Sequence, residues 1–431
     1  MHEVNHYRRT LATLGLFTLA AGDVWRYLLS WWGWGAIVLI LFVLAVIELI
    51  RMRVDLRRLP YPMVGFLALA AASIIWSAYP DASALGVAAL IVTSAFALYL
   101  STAIDLTTFV RCLGTALRWI LGLSLLFEVI VATVIRERVL PFWVDYSDLE
   151  KIPAAFYWSR NLLLEGGRIQ GIVGNANLLA FAALLGVLVF AVQIAARTAS
   201  RIWTTGWLVV ALAVLALTRS STVIVAGVAV GVVAVYLWLV RRVPVGRRAP
   251  WYGGGAALAA AGIAGVIVFR DALLALLGKS PDLTNRLDIW DTVIGLASQR
   301  PVAGWGWTGY WAPWVEPYRD LVVIRGVPYY QAHNAWLDVY LQLGILGLIV
   351  FGGLVLSTLV RAWARALDLE HGRGKPIGLF PVLVTVLLIV HSLAESRLLI
   401  EIGLTLLMVI AIRTRSRLGQ DQHLPGMATS A

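Results

Sequence analysis

The chain has 431 residues, 60% of them hydrophobic and 14% charged, with a mean hydropathy of +0.82. A soluble domain carries roughly 45–50% apolar and about 25% charged residues, so this composition excludes a water-soluble fold. The formal charge of +11 does not indicate a nucleic-acid partner: apart from Lys151, Lys279 and Lys375, the 35 basic residues are arginines, clustered mostly between apolar runs.

Apolar runs close to the length of a bilayer core predict twelve transmembrane helices, at about 11–31, 34–50, 61–77, 84–100, 115–135, 177–196, 202–218, 222–240, 252–269, 337–360, 376–393 and 397–412. Asp23 and Arg26 interrupt the first. Arg8 and Arg9 ahead of apolar residues 11–21 also suit a signal peptide, but Trp25, Tyr27, Trp31 and Trp32 continue the run as an interfacial belt. Arginine clusters begin the chain (Arg8, Arg9) and follow the second span (Arg51, Arg53, Arg57, Arg58), the sixth (Arg197, Arg201) and the eighth (Arg241, Arg242, Arg247, Arg248). More follow the tenth (Arg361, Arg365, Arg373, Lys375) and the last (Arg413, Arg415, Arg417). All fall on one side if both termini are cytoplasmic, the orientation expected of a multi-pass protein of the cytoplasmic (inner) membrane.

Two aromatic segments of mixed charge then lie outside, 136–176 and 270–336, and loops of this length usually carry function. The second is predicted to contain an amphipathic helix near 285–298, capped by Asp282 or Thr284 and ended by Arg300-Pro301. Gly227-x-x-x-Gly231 and the glycines at 253–255, 262 and 265 suggest close helix packing. The polar tail 418–431 is expected to be a disordered cytoplasmic end. The expected fold is therefore a single all-α polytopic domain of about 12 transmembrane helices with a helical extracytoplasmic loop region.

Of six histidines, His2, His6, His371 and His423 fall in cytoplasmic ends or loops, and His391 at the outer end of the eleventh span. His333 alone lies on an outer loop, where the chain re-enters the membrane and a titratable ring can be tuned. Arg168 and Arg286 could be ordinary loop ion pairs with Glu165, Asp282 or Asp288, and Arg219, at a helix end, could snorkel to the interface. Glu395 and Arg397 are expected to pair with each other. Gly304-Trp-Gly306-Trp-Thr-Gly309 matches a dinucleotide fingerprint but follows no predicted strand. It reads instead as a flexible segment with Trp311 and Trp314, resting on lipid or on sugar rings. Glu316, Asp320 and Asp338 offer no spacing that identifies a glycosidase pair. Cys112 is the one cysteine, which excludes an internal disulfide and a cysteine-based metal site, and no cluster of His and Asp suggests a metal.

His333-Asn334, nine residues, then Gly344-Ile-Leu-Gly347 and a long apolar helix resemble the hallmark of the bacterial O-antigen ligase and polymerase family. Two weaker patches agree: Gly167-Arg168-Ile-Gln-Gly171-Ile-Val-Gly174-Asn175-Ala-Asn177, and Arg286-Leu-Asp-Ile-Trp290 followed by Pro301-Val-Ala-Gly304-Trp-Gly306. The resemblance spans roughly residues 60–415. It implies a helical glycosyltransferase with a GT-C-like fold, acting outside the membrane on a polyprenyl-pyrophosphate-linked glycan. The acceptor would be a hydroxyl on a glycan, lipid or cell-wall polymer, and no cofactor is implied. His333 matches the family's general base, Arg168 and Arg286 its pyrophosphate-binding arginines, and inversion at the anomeric carbon is expected. Arg219 is a third candidate for the pyrophosphate, and Asn334, Gly344, Gly347 and Asn175 are supporting residues.

The chemistry is consistent with these residue types. A sugar hydroxyl is a poor nucleophile, and a neutral imidazole helps remove its proton. Nearby guanidiniums would keep that imidazole neutral, and arginine forks match phosphate oxygens while staying charged. A repeat-unit polymerase of the same superfamily is the nearest alternative. A transporter or flippase of lipid-linked sugars is the alternative from another class, but it would be expected to carry polar groups near the midplane.

Overall fold

The computed structural model describes residues 6–147, 149–268, 286–324, 326–367 and 376–415. His2, His371, His423, the proposed caps Asp282 and Thr284, and the tail 418–431 lie outside the described residues. The described chain is mostly helical: α1 (His6–Ala20), α2 (Gly22–Arg51), α3 (Tyr61–Ala72), α4 (Pro80–Thr102), α5 (Leu106–Ile130), α6 (Ala176–Ala195), α7 (Arg201–Thr218), α8 (Ser221–Val240), α9 (Ala249–Val268), α10 (Arg286–Ala297), α11 (Ala335–Leu367), α12 (Phe380–Ser392) and α13 (Glu401–Arg415). The strands described are β1 (Val323–Ile324) and β2 (Val327–Pro328), a short antiparallel hairpin.

Among the described residues, seven helices are long and apolar enough to cross a membrane: α2, α4, α5 with its continuation to Ile135, α6, α7, α8 and α11. Tyr61–Ile75 and Pro376–Ser392 are shorter apolar helices. This is a multi-pass membrane protein of all-α class. Lipid supplies no hydrophobic drive for helices to associate, so side-chain packing and satisfied polar groups must do so. α6 is the most enclosed of the seven, with 72% of its apolar window buried, and it packs along α5 and α7. α1 packs along α5, α4 along α13, α8 along α12, and α3 along α11.

Described arginines from several of these clusters meet at one end of the bundle. Arg8 and Arg51 both bind the buried Glu48, at 2.8 and 3.1 Å. Arg413 donates to the carbonyls of Leu100 and Ile104, Arg365 to that of Arg413, Arg241 to that of Ala366, and Arg248 to that of Leu367. These bonds tie together the ends of α1, α2, α4, α8, α11 and α13. The polar residues described below lie at the other end.

The first two predicted spans are divided differently in the structure. The chain breaks at Ala21, and α2 then runs on to Arg51 through a kink at Ser30 (φ 66°). Asp23 and Arg26, which looked like an interruption, sit in the short helical stretch before the kink. There Arg26 pairs with Asp23 at 2.7 Å and Glu401 at 3.1 Å, between the rings of Trp31 and Trp34. The amphipathic helix is present as α10 and ends at Ala297, three residues before Arg300. Close packing is met at Gly227, against Leu184, and at Gly255, against Tyr236, while Gly231 and Gly253 face open space among the described residues.

The tryptophan-rich segment is a fixed brace. Trp305 and Gly306 donate their N–H groups to the carbonyls of Leu341 and Gln342, and the Gln342 side chain accepts from the N–H of Thr308 and Gly309. Trp311 is fully buried, stacked on Tyr318, with its indole N–H on Asp338 at 2.8 Å. It therefore rests neither on lipid nor on sugar, whereas Trp314 remains exposed. The brace docks on α11 where Gly344 (φ 63°, ψ −158°) interrupts the helix. The N–H groups of Ile345 and Leu346 turn to the carbonyls of Pro301 and Val302. A side chain at Gly344 would meet the Val302 carbonyl at 2.3 Å, which explains the glycine in the spacing pattern.

Candidate active site

The site forms where the starts of α6, α8, α10 and α11 meet the chain between α12 and α13. Asn334 accepts from the N–H of Trp336 and Leu337 and so starts α11. Just before it, His333 holds a left-handed conformation (φ 50°), which a non-glycine residue keeps only when its surroundings enforce it. The Tyr329 ring lies edge-on, 5.7 Å from the imidazole. Gly347 lies a turn beyond the kink, where an added Cβ would meet Leu343 at 2.3 Å.

The imidazole's charged partner is Glu395: His333 Nδ1 lies 2.9 Å from Glu395 Oε2. The other carboxylate oxygen accepts from Arg286 Nη2 at 2.8 Å and from Asn177 Nδ2 at 3.1 Å. Asn177 Oδ1 in turn accepts from Arg168 Nη2 at 2.7 Å and from the Ser220 hydroxyl at 3.0 Å. His333, Arg286 and Arg168, which are far apart in sequence, therefore share one hydrogen-bonded network. Burial alone would push the Glu395 carboxyl up, but the His333 ring and the Arg286 guanidinium outweigh it and hold the carboxyl at about 2.

Arg286 opens α10, with Nη1 also 3.4 Å from the Thr222 hydroxyl at the start of α8. Its carboxylate partner is Glu395 rather than Asp288. Arg168 donates Nε to the Thr218 carbonyl at 2.9 Å and makes no ion pair with Glu165 among the described residues. Burial, and next the Arg160 guanidinium, lower the pKa of Arg168. Arg219 closes α7 in a left-handed conformation; it is exposed, beside Gly166, and stands outside the network. Asn175 caps α6, accepting from the N–H of Asn177 and Leu178. His391 is buried beside Phe181.

Two expectations are corrected. Arg397 pairs with Glu401, and more distantly with Asp23, leaving Glu395 to His333 and Arg286. The charge nearest the imidazole is consequently a carboxylate, not a guanidinium. Sequence reasoning also passed over Glu128 in α5. Its carboxyl is 1% exposed and accepts from the N–H of Gln170 (2.9 Å) and Gly171 (2.7 Å) and from the Ser159 hydroxyl (3.0 Å). It thereby fastens both the strand of loop carrying Arg160 and the one carrying Arg168. The signal was available, since an ionisable residue inside an apolar span marks a functional or anchoring position by default.

Beside Arg168 opens a cavity of about 150 Å³, lined by Arg160, Arg168, Gln170, Asn175 and Asn177 together with small residues. Two cations and a helix start with no carboxylate among the lining side chains suit an anion.

Residues 204–352 match a family model described as O-Antigen ligase. Over this stretch the chain is similar to the O-antigen ligase family. Arg219, Arg286, His333, Asn334, Gly344 and Gly347 lie inside the O-antigen ligase-like stretch; Arg168, Asn177 and Glu395, which complete the network, lie outside it. No curated protein matches the chain.

Proposed function

We propose that this O-antigen ligase-like chain moves a glycan from a polyprenyl pyrophosphate to an acceptor hydroxyl, on the outer face of the cytoplasmic membrane. The observation that carries the reading is the bifunctional Glu395, one oxygen on His333 and the other on Arg286. With Nδ1–H donating to Glu395, the imidazole presents an unprotonated Nε2, the atom that accepts the acceptor's proton. The acceptor oxygen attacks the anomeric carbon as the bond to the sugar-side phosphate breaks. The electron pair leaves with that phosphate oxygen, and the configuration inverts. Arg286 and Arg168 meet the growing charge.

The same reading places the arginine-rich end of the bundle in the cytoplasm with both termini, and segments 136–176 and 270–336 outside. It also counts α1, α3, α9, α12 and α13 with the seven long apolar helices to make twelve spans. The test is glycan transfer by the purified full-length protein, followed by mass analysis of the product. His333→Ala is expected to abolish transfer with folding intact, and undiminished transfer by that variant would remove the base from the mechanism.

A further inference from the structure

We propose that Arg160 is a third guanidinium for the donor's diphosphate and binds its lipid-side phosphate, which fixes the direction in which the donor lies. The proposal rests on the transferase reading for the identity of the diphosphate, but the anion site stands on its own geometry. Arg160 and Arg168 face the same cavity, which no carboxylate lines among the described residues. Arg160 is half-buried and, among the described residues, spends only Nε on the chain, at 2.9 Å from the Ala154 carbonyl. Burial and the neighbouring Arg138 destabilise its charged form, a cost that a bound anion relieves. Arg168 feels the same repulsion from Arg160 and Arg286. The start of α6, a 20-residue helix, adds its dipole at Asn175–Asn177.

The order of groups sets the polarity. From His333 the chain of contacts runs through Glu395 to Arg286 on one branch and through Asn177 to Arg168 on the other, and then across the cavity to Arg160. The anomeric carbon must lie within reach of His333, so the sugar-side phosphate falls to Arg286 and Arg168. The second phosphate extends toward Arg160. The segment that carries Arg160 also presents exposed Phe142, Trp143, Val144 and Leu164, apolar surface suited to a prenyl chain. Charge develops on the sugar-side phosphate as the glycosidic bond breaks, so Arg286 acts in the transition state. Arg160, on the distal phosphate, contributes binding that is nearly equal before and during the reaction.

The experiment uses the full chain in detergent and inorganic pyrophosphate as the probe, with orthophosphate and short-chain phosphatidylglycerol as competitors. Arg160→Gln is expected to weaken pyrophosphate binding by about 10- to 100-fold, the loss of one charge-assisted contact. Arg160→Lys, which keeps the charge, should recover part of it. In transfer assays Arg160→Gln should act mainly through the donor KM, and Arg286→Gln mainly through kcat. Unchanged pyrophosphate affinity in Arg160→Gln overturns the proposal, as does a fall in kcat at constant KM. Displacement by phosphatidylglycerol as effective as by pyrophosphate assigns the cavity to a lipid headgroup and overturns it too. Arg160-dependent pyrophosphate binding by a wild-type protein that transfers no glycan upholds the anion site and refutes the transferase reading instead.

Discussion

Replacing Glu395 by Gln changes one atom's chemistry and almost no volume, and the geometry dictates how the amide must sit. Arg286 at 2.8 Å and Asn177 at 3.1 Å both donate to Oε1, so the amide oxygen has to occupy that place. The amide nitrogen then takes the place of Oε2, 2.9 Å from His333 Nδ1. Facing a donor, Nδ1 must accept, and the ring proton moves to Nε2. The base is then blocked by its own tautomer. A wrong tautomer in an otherwise intact catalytic imidazole costs about 10⁴-fold in serine proteases, and general-base catalysis typically supplies about 10²–10⁴-fold. We therefore expect kcat for glycan transfer to fall by about 10²–10⁴-fold in Glu395→Gln, with donor KM changed far less. Glu395→Asp keeps an acceptor for both partners at a longer reach and should recover part of the loss. The assay is initial-rate transfer from a defined polyprenyl-pyrophosphate glycan, with thermal unfolding run in parallel to confirm folding. Wild-type kcat in a folded Glu395→Gln variant would refute the tautomer argument.

Glu395 also sets a pH dependence of stability. Its carboxyl is lowered from 4.5 to about 2, so its stabilisation is fully present above about pH 4.5 and is lost as pH falls toward 2. A shift of that size corresponds to about 3 kcal/mol, and the difference in melting temperature between wild type and Glu395→Gln should shrink over that interval. Glu128→Ala should misplace Arg160 and Arg168 together, depressing transfer and raising donor KM, whereas Glu128→Gln, which can still accept from both N–H groups, should keep most activity; equal transfer in Glu128→Ala and wild type counts against the anchoring role. Gly344→Ala meets both a left-handed backbone and the Val302 carbonyl at 2.3 Å, and should cost about 1–3 kcal/mol in unfolding experiments. Trp311→Phe removes the indole bond to the buried Asp338 and should cost about 1–3 kcal/mol as well, read as a lower melting temperature in detergent.

Much of the architecture was legible because a bilayer imposes a coarse and repetitive code. Apolar runs gave the positions of the long helices, and the arginine clusters foretold residues that do meet at one end of the bundle. The break between α1 and α2 was missed because Trp25, Tyr27, Trp31 and Trp32 carry the apolar run past it, while the real turn needs only Ala21 and the polar side chains it brings to Glu401 and Arg397. At the candidate site the family resemblance singled out His333, Asn334 and Gly344, and each has a local backbone task. Glu395 was visible as a residue but not as a partner. Pairing it with Arg397 was the shortest local solution, and the choice of His333 and Arg286 depends on how α11, α10 and the α12–α13 turn approach one another. The brace at 304–311 failed for a similar reason: glycines and tryptophans suggest mobility until the backbone groups they satisfy are known.

The interlocking of that brace with the interrupted α11 constrains how substrates can enter. Gly304 and Gly344 are pressed against each other's segments so closely that neither could admit a methyl group, and the freed amides of the long helix are closed by the loop itself. The brace is thereby fastened to the helix that His333 precedes. On the transferase reading the donor would meet Arg160 and Arg168, at the cavity ahead of α6, rather than this braced side.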